Sequence, residues 1–139
     1  MRLSTILVIV CIVPGLGACI SPANPSCAVG TGSPVTLFTL YFGKAIYGRG
    51  DVSAAEWQVF QDRTITPDLS AGYTSFDANG AWMNPVTRAT SLEATKILVA
   101  ALPDAPVSLA KVNLIRTEYA TQFHQQLVGM TTVAACGDF

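Results

Sequence analysis

Two kinds of hydrophobic periodicity alternate along this chain, and their order leaves few folds open. The run VTLFTLYFGKAIY, residues 35–47, is rich in β-branched and aromatic residues and reads as a strand. Phe38, Leu40 and Phe42 fall on one face, and Val35, Leu37, Thr39 and Tyr41 on the other. Both faces are apolar enough to need cover. After Gly48-Arg49-Gly50, the segment Ser53-Ala54-Ala55-Glu56 has the form of a capping box, in which the serine hydroxyl accepts from the glutamate amide and the glutamate reaches back. Val52 and Trp57 stand at the positions of a hydrophobic staple. A helix over 54–64 follows, with Trp57 and Phe60 inward, and Thr66, preceding Pro67, is biased to extended backbone and marks its end. Residues 73–78 read as a second strand closed by the turn signal Asn79-Gly80, with Asn84-Pro85 a further turn. TKILVAAL, residues 95–102, is a third strand, with Ile97 and Val99 on one face and Leu98 and Ala100 on the other. Asp104 and Pro106 open a second helix, in which Leu109, Val112, Ile115, Tyr119 and Phe123 recur at helical period. Residues 127–135 make the last strand.

The order β-α-β-β-α-β predicts an α+β, ferredoxin-like sandwich: an antiparallel sheet with two helices on one face. In such a fold the first and last strands lie side by side and antiparallel. The face away from the helices, with Leu37 and Tyr41 as candidates, then needs a cover. A homodimer packed sheet to sheet is the simplest one, and a ligand pocket between sheet and partner is the alternative.

Ahead of this domain the chain reads MRLSTILVIVCIVPGLGAC. A basic residue, an unbroken apolar run from Ile6 to Val13, a Pro-Gly break and small residues make the three-part layout of a secretory signal. The run is far short of the roughly 20 residues that span a bilayer. Leu16-Gly17-Ala18-Cys19 resembles a bacterial lipobox, which implies cleavage before Cys19 and lipid on its sulfur. The other reading is an ordinary signal cut near Ala18 or Ala23, leaving a soluble secreted protein. The expected organisation is therefore a lipoprotein signal over 1–18, a Pro- and Gly-containing tether over 19–34, and one folded domain over 35–139. The expected place is the bacterial envelope, with the membrane as partner through Cys19.

Of four cysteines, Cys11 leaves with the signal and Cys19 carries the lipid. Cys27 and Cys136 remain, and two thiols in an oxidising compartment suggest one disulfide; two free cysteines are the other reading. Eight Lys and Arg face nine Asp and Glu, a formal net charge of −1, and there is no basic run, so nucleic acid is not an expected partner.

LYFGKAI (40–46), VSAAEWQVF (52–60), ITPDLSAGYTSFDANGAWMN (65–84), TKILV (95–99), the Ile115, Tyr119, Phe123-His124-Gln125 helix and the closing Cys136 to Phe139 together resemble DUF3574, a family of small exported bacterial proteins of unknown function. Met83 departs from the family pattern, which tends to a basic residue there. The resemblance implies an envelope protein and no reaction, so no catalytic residue is carried over.

Candidate chemistry is sparse. His124, the single histidine, is the natural acid–base group, and its bland reading is a solvent-facing helix residue. Asp77, Trp82, Arg88, Glu93 and Lys96 lie on or near the central hairpin and are able to form a polar mouth for a small ligand of unknown identity; ordinary surface charges and cross-strand pairs are the plainer account. Trp82 is the more credible ligand contact of the two tryptophans. One histidine and two cysteines far apart lack the spacing of a zinc site, and no nucleotide or hydrolase motif is present. No cofactor and no metal are expected. A non-catalytic binding or interaction module is the first expectation, and a small-molecule binder or small enzyme with a pocket near Trp82, Asp77 and His124 the second.

Overall fold

The computed structural model describes residues 26–28 and 32–139; the signal sequence and Cys19 lie outside the described residues. Strand β1 spans Ser33–Gly43, and a small hairpin of β2 (Ala45–Ile46) and β3 (Gly50–Asp51) follows it. Helix α1 is Ala54–Phe60 and leads through one wider π turn, Gln61–Ile65, into the single turn α2, Thr66–Asp68. Strands β4 (Thr74–Met83) and β5 (Thr90–Pro103) form the central hairpin, helix α3 is Pro106–Gln122, and β6 is Gly129–Gly137. The antiparallel sheet has the order β4-β5-β1-β6.

The first helix starts as its sequence requires. Ser53 Oγ accepts from the Glu56 amide at 3.3 Å, and the Glu56 carboxylate accepts from the Ser53 amide at 2.9 Å. Val52 and Trp57 are both buried, closing the staple. Arg49 grips the same carboxylate through two nitrogens, at 2.7 and 3.0 Å. These bonds hold the Glu56 carboxyl at about 2, below its ordinary 4.5, the Ser53 backbone bond being the largest cause. A carboxyl depressed in the folded state stabilises fully above its unfolded value and loses that contribution as pH falls through the folded one. Urea midpoints of the native protein should therefore drop between pH 4.5 and 2 more steeply than those of Glu56→Gln. Parallel slopes would remove the cap from the acid response.

The core lies between the sheet and the helices. Phe38, Leu40 and Phe42 of β1 and Leu98, Ala100 and Leu102 of β5 point at Trp57, Phe60, Val112, Ile115, Tyr119 and Phe123, all buried. Register explains this: Leu40 opposes Leu98, and Phe38 opposes Ala100, so alternation puts both even-numbered sets on one face.

Four local expectations are corrected. Asn79-Gly80 is no turn: β4 runs through it to Met83, with Gly80 opposite Glu93. The turn comes at Asn84, whose Oδ1 accepts from the amides of Val86 and Thr87 at 2.9 and 3.0 Å. Thr66 is helical, at φ −60° and ψ −41°, and its amide reaches Gln61 through the π turn; Pro67 sits in the first turn of α2, where a missing N–H is tolerated. Leu109 is exposed, and Ser108 takes the buried place at the head of the α3 stripe, its hydroxyl donating to the Pro103 carbonyl at 2.8 Å. The first and last strands also shift, β1 ending at Gly43 and β6 starting at Gly129.

The bridge between Cys27 and Cys136 is formed, with 5.7 Å between the α-carbons. It joins the tether to the end of β6, beside the start of β1, where Ser33 opposes Gly137 and Pro34 opposes Cys136.

Candidate functional site

The residues singled out from the sequence occupy separate places. Asp77 pairs with Lys96 across β4 and β5 at 2.8 Å. That Lys96 bond, and the nearby charge of Lys44, hold the Asp77 carboxyl below its ordinary value. The Lys96 ammonium also stands 5.8 Å from the centre of the Trp57 ring, so it is anchored from two sides. Trp82 lies on β4 opposite Ser91 and is exposed; five residues from Asp77 on one continuous strand, it takes the other face. Arg88 sits in the β4–β5 turn with φ of 60°, its amide donating to the Asn84 carbonyl at 2.9 Å. Glu93 accepts from the Ala45 amide at 3.3 Å.

His124 is not on the helix. It follows the C-cap Phe123 with a φ of 52°, and the next amide, Gln125, returns to the Ala120 carbonyl at 2.9 Å. This is the left-handed position of a Schellman ending, usually glycine. The backbone role accounts for the residue's placement without any chemistry. His124→Gly should raise stability by about 0.5–1 kcal/mol, relief of left-handed strain outweighing glycine's chain entropy. A lower melting temperature for that variant would show the imidazole to be held by something else.

Among the described residues three of the more pronounced clefts are shallow, and none of these takes a wall from Asp77, Trp82, Arg88 or His124. One, of about 410 Å³, lies between α3 and the loop before β6, around Arg116, Thr117 and Gln125. Arg116 is engaged there, giving its Nε and Nη2 to the Val128 carbonyl at 2.9 and 2.8 Å. Another, of about 420 Å³, lies at the head of α3 around Leu109. The third, of about 510 Å³, opens at the tethered end of the sheet between Val35, Leu37, Tyr73, Val99 and Phe139.

The broadest feature is the sheet face turned away from the helices. Register puts Phe76, Ile97 and Tyr41 in one row across β4, β5 and β1, and Ala101, Leu37 and Val133 in another across β5, β1 and β6. Phe76 is 47% exposed and Val133 59%. Leu37 and Tyr41 were legible from alternation, whereas which half of β5 faces out, Ile97 with Val99 or Leu98 with Ala100, is decided by its register with β1. Phe76 and Val133 were not singled out, although the same alternation along their strands carries the signal.

The ionisable groups with displaced protonation are committed to structure. Glu56 closes a cap and Asp77 an ion pair. Tyr119 is pushed well above its ordinary range by burial, and its hydroxyl donates to the Gly43 carbonyl at 2.9 Å. Among the described residues no group of three or more His, Cys, Asp or Glu side chains is placed to hold a metal ion. Nor is any helix among them long and apolar enough to cross a membrane.

Residues 38–139 match the model of a family described as "Protein of unknown function (DUF3574)". No curated protein matches. Two solved structures are similar in fold. A phage SAM lyase in complex with S-methyl-5′-thioadenosine aligns with a TM-score of 0.53 at 9% identity, over 74% of this chain and 90% of that one. A phage SAM lyase in the apo state aligns at 0.51 and 11% identity, over 83% and 98%.

Proposed function

The chain belongs to the DUF3574 family, and we propose that it is an exported envelope module, anchored through lipid on Cys19, that acts by binding rather than catalysis. Its working surface is the uncovered sheet face, and its partner is a second copy of the chain. One observation carries this reading: the helices cover one side of the sheet, while among the described residues no element covers the other side, lined by Leu37, Tyr41, Phe76, Ile97, Val99 and Val133. Four strands at ~4.8 Å spacing, each about nine residues at ~3.3 Å, present roughly 600 Å² before side-chain relief. Two such faces bury roughly 1,200 Å² together, the lower end of the ~1,200–2,000 Å² of stable interfaces.

The Cys27–Cys136 bridge supports export, since such bonds persist in oxidising compartments. The strand order, with two longer helices on one face, supports a ferredoxin-like topology. Acyl chains on Cys19 supply the anchor in this reading; labelled palmitate should enter the native protein and not Cys19→Ala.

The interface is tested by Phe76→Asp and Val133→Asp in the Cys19→Ala background. Both positions are solvent-exposed, so the fold should survive, shown by unchanged circular dichroism, while the variants sediment as single chains. An associated state that persists in both variants would move the contact elsewhere. A second reading, a small-molecule binder or small enzyme, draws on the likeness in fold to the phage lyases. A rise in melting temperature with S-adenosylmethionine would favour it over the first.

A further inference from the structure

The cleft at the tethered end of the sheet overlaps the proposed contact face at Leu37 and Val99 and adds a chemistry of its own. Its walls are apolar side chains of β1 and β5, among them Val35, Leu37, Val99 and Pro103. Phe139 supplies the exposed ring, and Tyr73 lies at the edge with its own ring packed on the core and its hydroxyl bonded to Gln61 and Thr66. Among the described residues Asp138 is the one charged residue lining the cleft, and no lysine or arginine lines it. Phe139 is 93% exposed, yet its ring is not remote from the body of the domain. A β-carbon on Gly137 would stand 2.5 Å from Phe139 Cε2 and 3.2 Å from Val35 Cγ2. Glycine at 137 thus lets the ring fold back over the strand ends and form the wall beside Val35, with its free side open to solvent.

Exposed aromatic surface next to a lone carboxylate, over an apolar floor, selects by charge and by size. A compact, weakly hydrated organic cation gains from the ring quadrupole and from Asp138. A carboxylate or phosphate ligand gains from neither and meets like charge. The volume of about 510 Å³ falls within the usual range of small-molecule sites, ~300–1,000 Å³. We propose that this cleft binds a small organic cation bearing an apolar group, of the quaternary-ammonium class, held by Asp138 and by the ring of Phe139. The site goes beyond the self-association reading; it shares Leu37 and Val99 with the proposed contact face, so a paired sheet and a bound cation compete for them, and sedimentation and probe binding report on the two separately.

The test is a titration of the disulfide-bonded Cys19→Ala protein followed by amide NMR, with sedimentation recorded in parallel to report on self-association separately. The probes are benzyltrimethylammonium, benzyl alcohol and benzoate. The cation should shift the amides of Val35, Gly72 and Val99 and bind about tenfold more tightly than the neutral probe, and benzoate should leave them in place. Asp138→Asn should bring the cation to the level of benzyl alcohol. Gly137→Ala should weaken it by displacing the Phe139 ring, and Ala71→Trp, on the exposed rim of the cleft, should abolish binding by filling it. Equal response to all three probes, no response to any, or undiminished cation binding by a folded Asp138→Asn protein would each overturn the assignment.

Discussion

Exchanging both bridge cysteines, Cys27→Ser with Cys136→Ser, should lower the unfolding free energy by about 4 kcal/mol. The bond spans 109 residues, nearly the whole described domain, and a loop of about 100 residues is the case in which cross-linking restricts the unfolded chain by about 4–5 kcal/mol. For a domain of this size that is a fall of roughly 15 °C in melting temperature. The residual fold should keep its sheet, because β1 and β6 remain paired along nine residues, from Ser33 with Gly137 to Tyr41 with Gly129. Urea titration of the oxidised native protein against the double serine variant measures the difference. A loss below about 1 kcal/mol would mean that the unfolded chain is already compact enough to make the bond thermodynamically idle.

Tyr119→Ala should cost a similar amount, about 4–5 kcal/mol, from the middle of the core. The ring is fully buried. It stands 4.7 Å from Phe123, 4.8 Å from Phe42 and 5.2 Å from Phe60, centre to centre. These are edge-on or tilted contacts, which add to simple burial. Tyr119→Phe separates the ring from its hydroxyl. It should cost about 1–2 kcal/mol, because the Gly43 carbonyl loses the donor 2.9 Å away while the packing stays. Near-equal losses for the two variants would make the hydroxyl, not the ring cluster, the main support of this junction.

What the sequence reveals here is what is decided locally. The Ser53–Glu56 cap and the Val52–Trp57 staple lie within six residues, so both were readable before any fold was known. Alternation within one strand sorts Phe38-Leu40-Phe42 from the other face of β1, and it is the register with β1 that makes Leu98-Ala100-Leu102 the inward half of β5. The misreadings share one cause, which is that a local signal met a tertiary constraint. Asn79-Gly80 is a good turn, but pairing of Asn79 with Ala94 and Gly80 with Glu93 keeps it in the ladder. Thr66-Pro67 is a good helix stop, but the π turn from Gln61 provides a register in which the proline is accepted. Leu109 fits the helical period, yet the phase is set by Ser108, Val112, Ile115 and Tyr119 against the sheet.

The candidate site was less legible for the same reason. Asp77 and Trp82 are near neighbours in sequence and lie on opposite faces of β4. His124 carries the only imidazole and is placed by backbone geometry. The cleft at the tethered end joins Leu37, Tyr73, Val99 and Phe139, which come together only once β1 has been paired with β5 on one side and β6 on the other. No motif within one segment encodes that meeting.

The central claim is that the uncovered sheet face is an interface between two copies of this chain. Sedimentation equilibrium on the disulfide-bonded Cys19→Ala protein, at micromolar concentration and without detergent, tests it most directly. The account predicts a mass of two chains, falling to one in Val133→Asp. A single-chain mass for the parent protein across that range would contradict it.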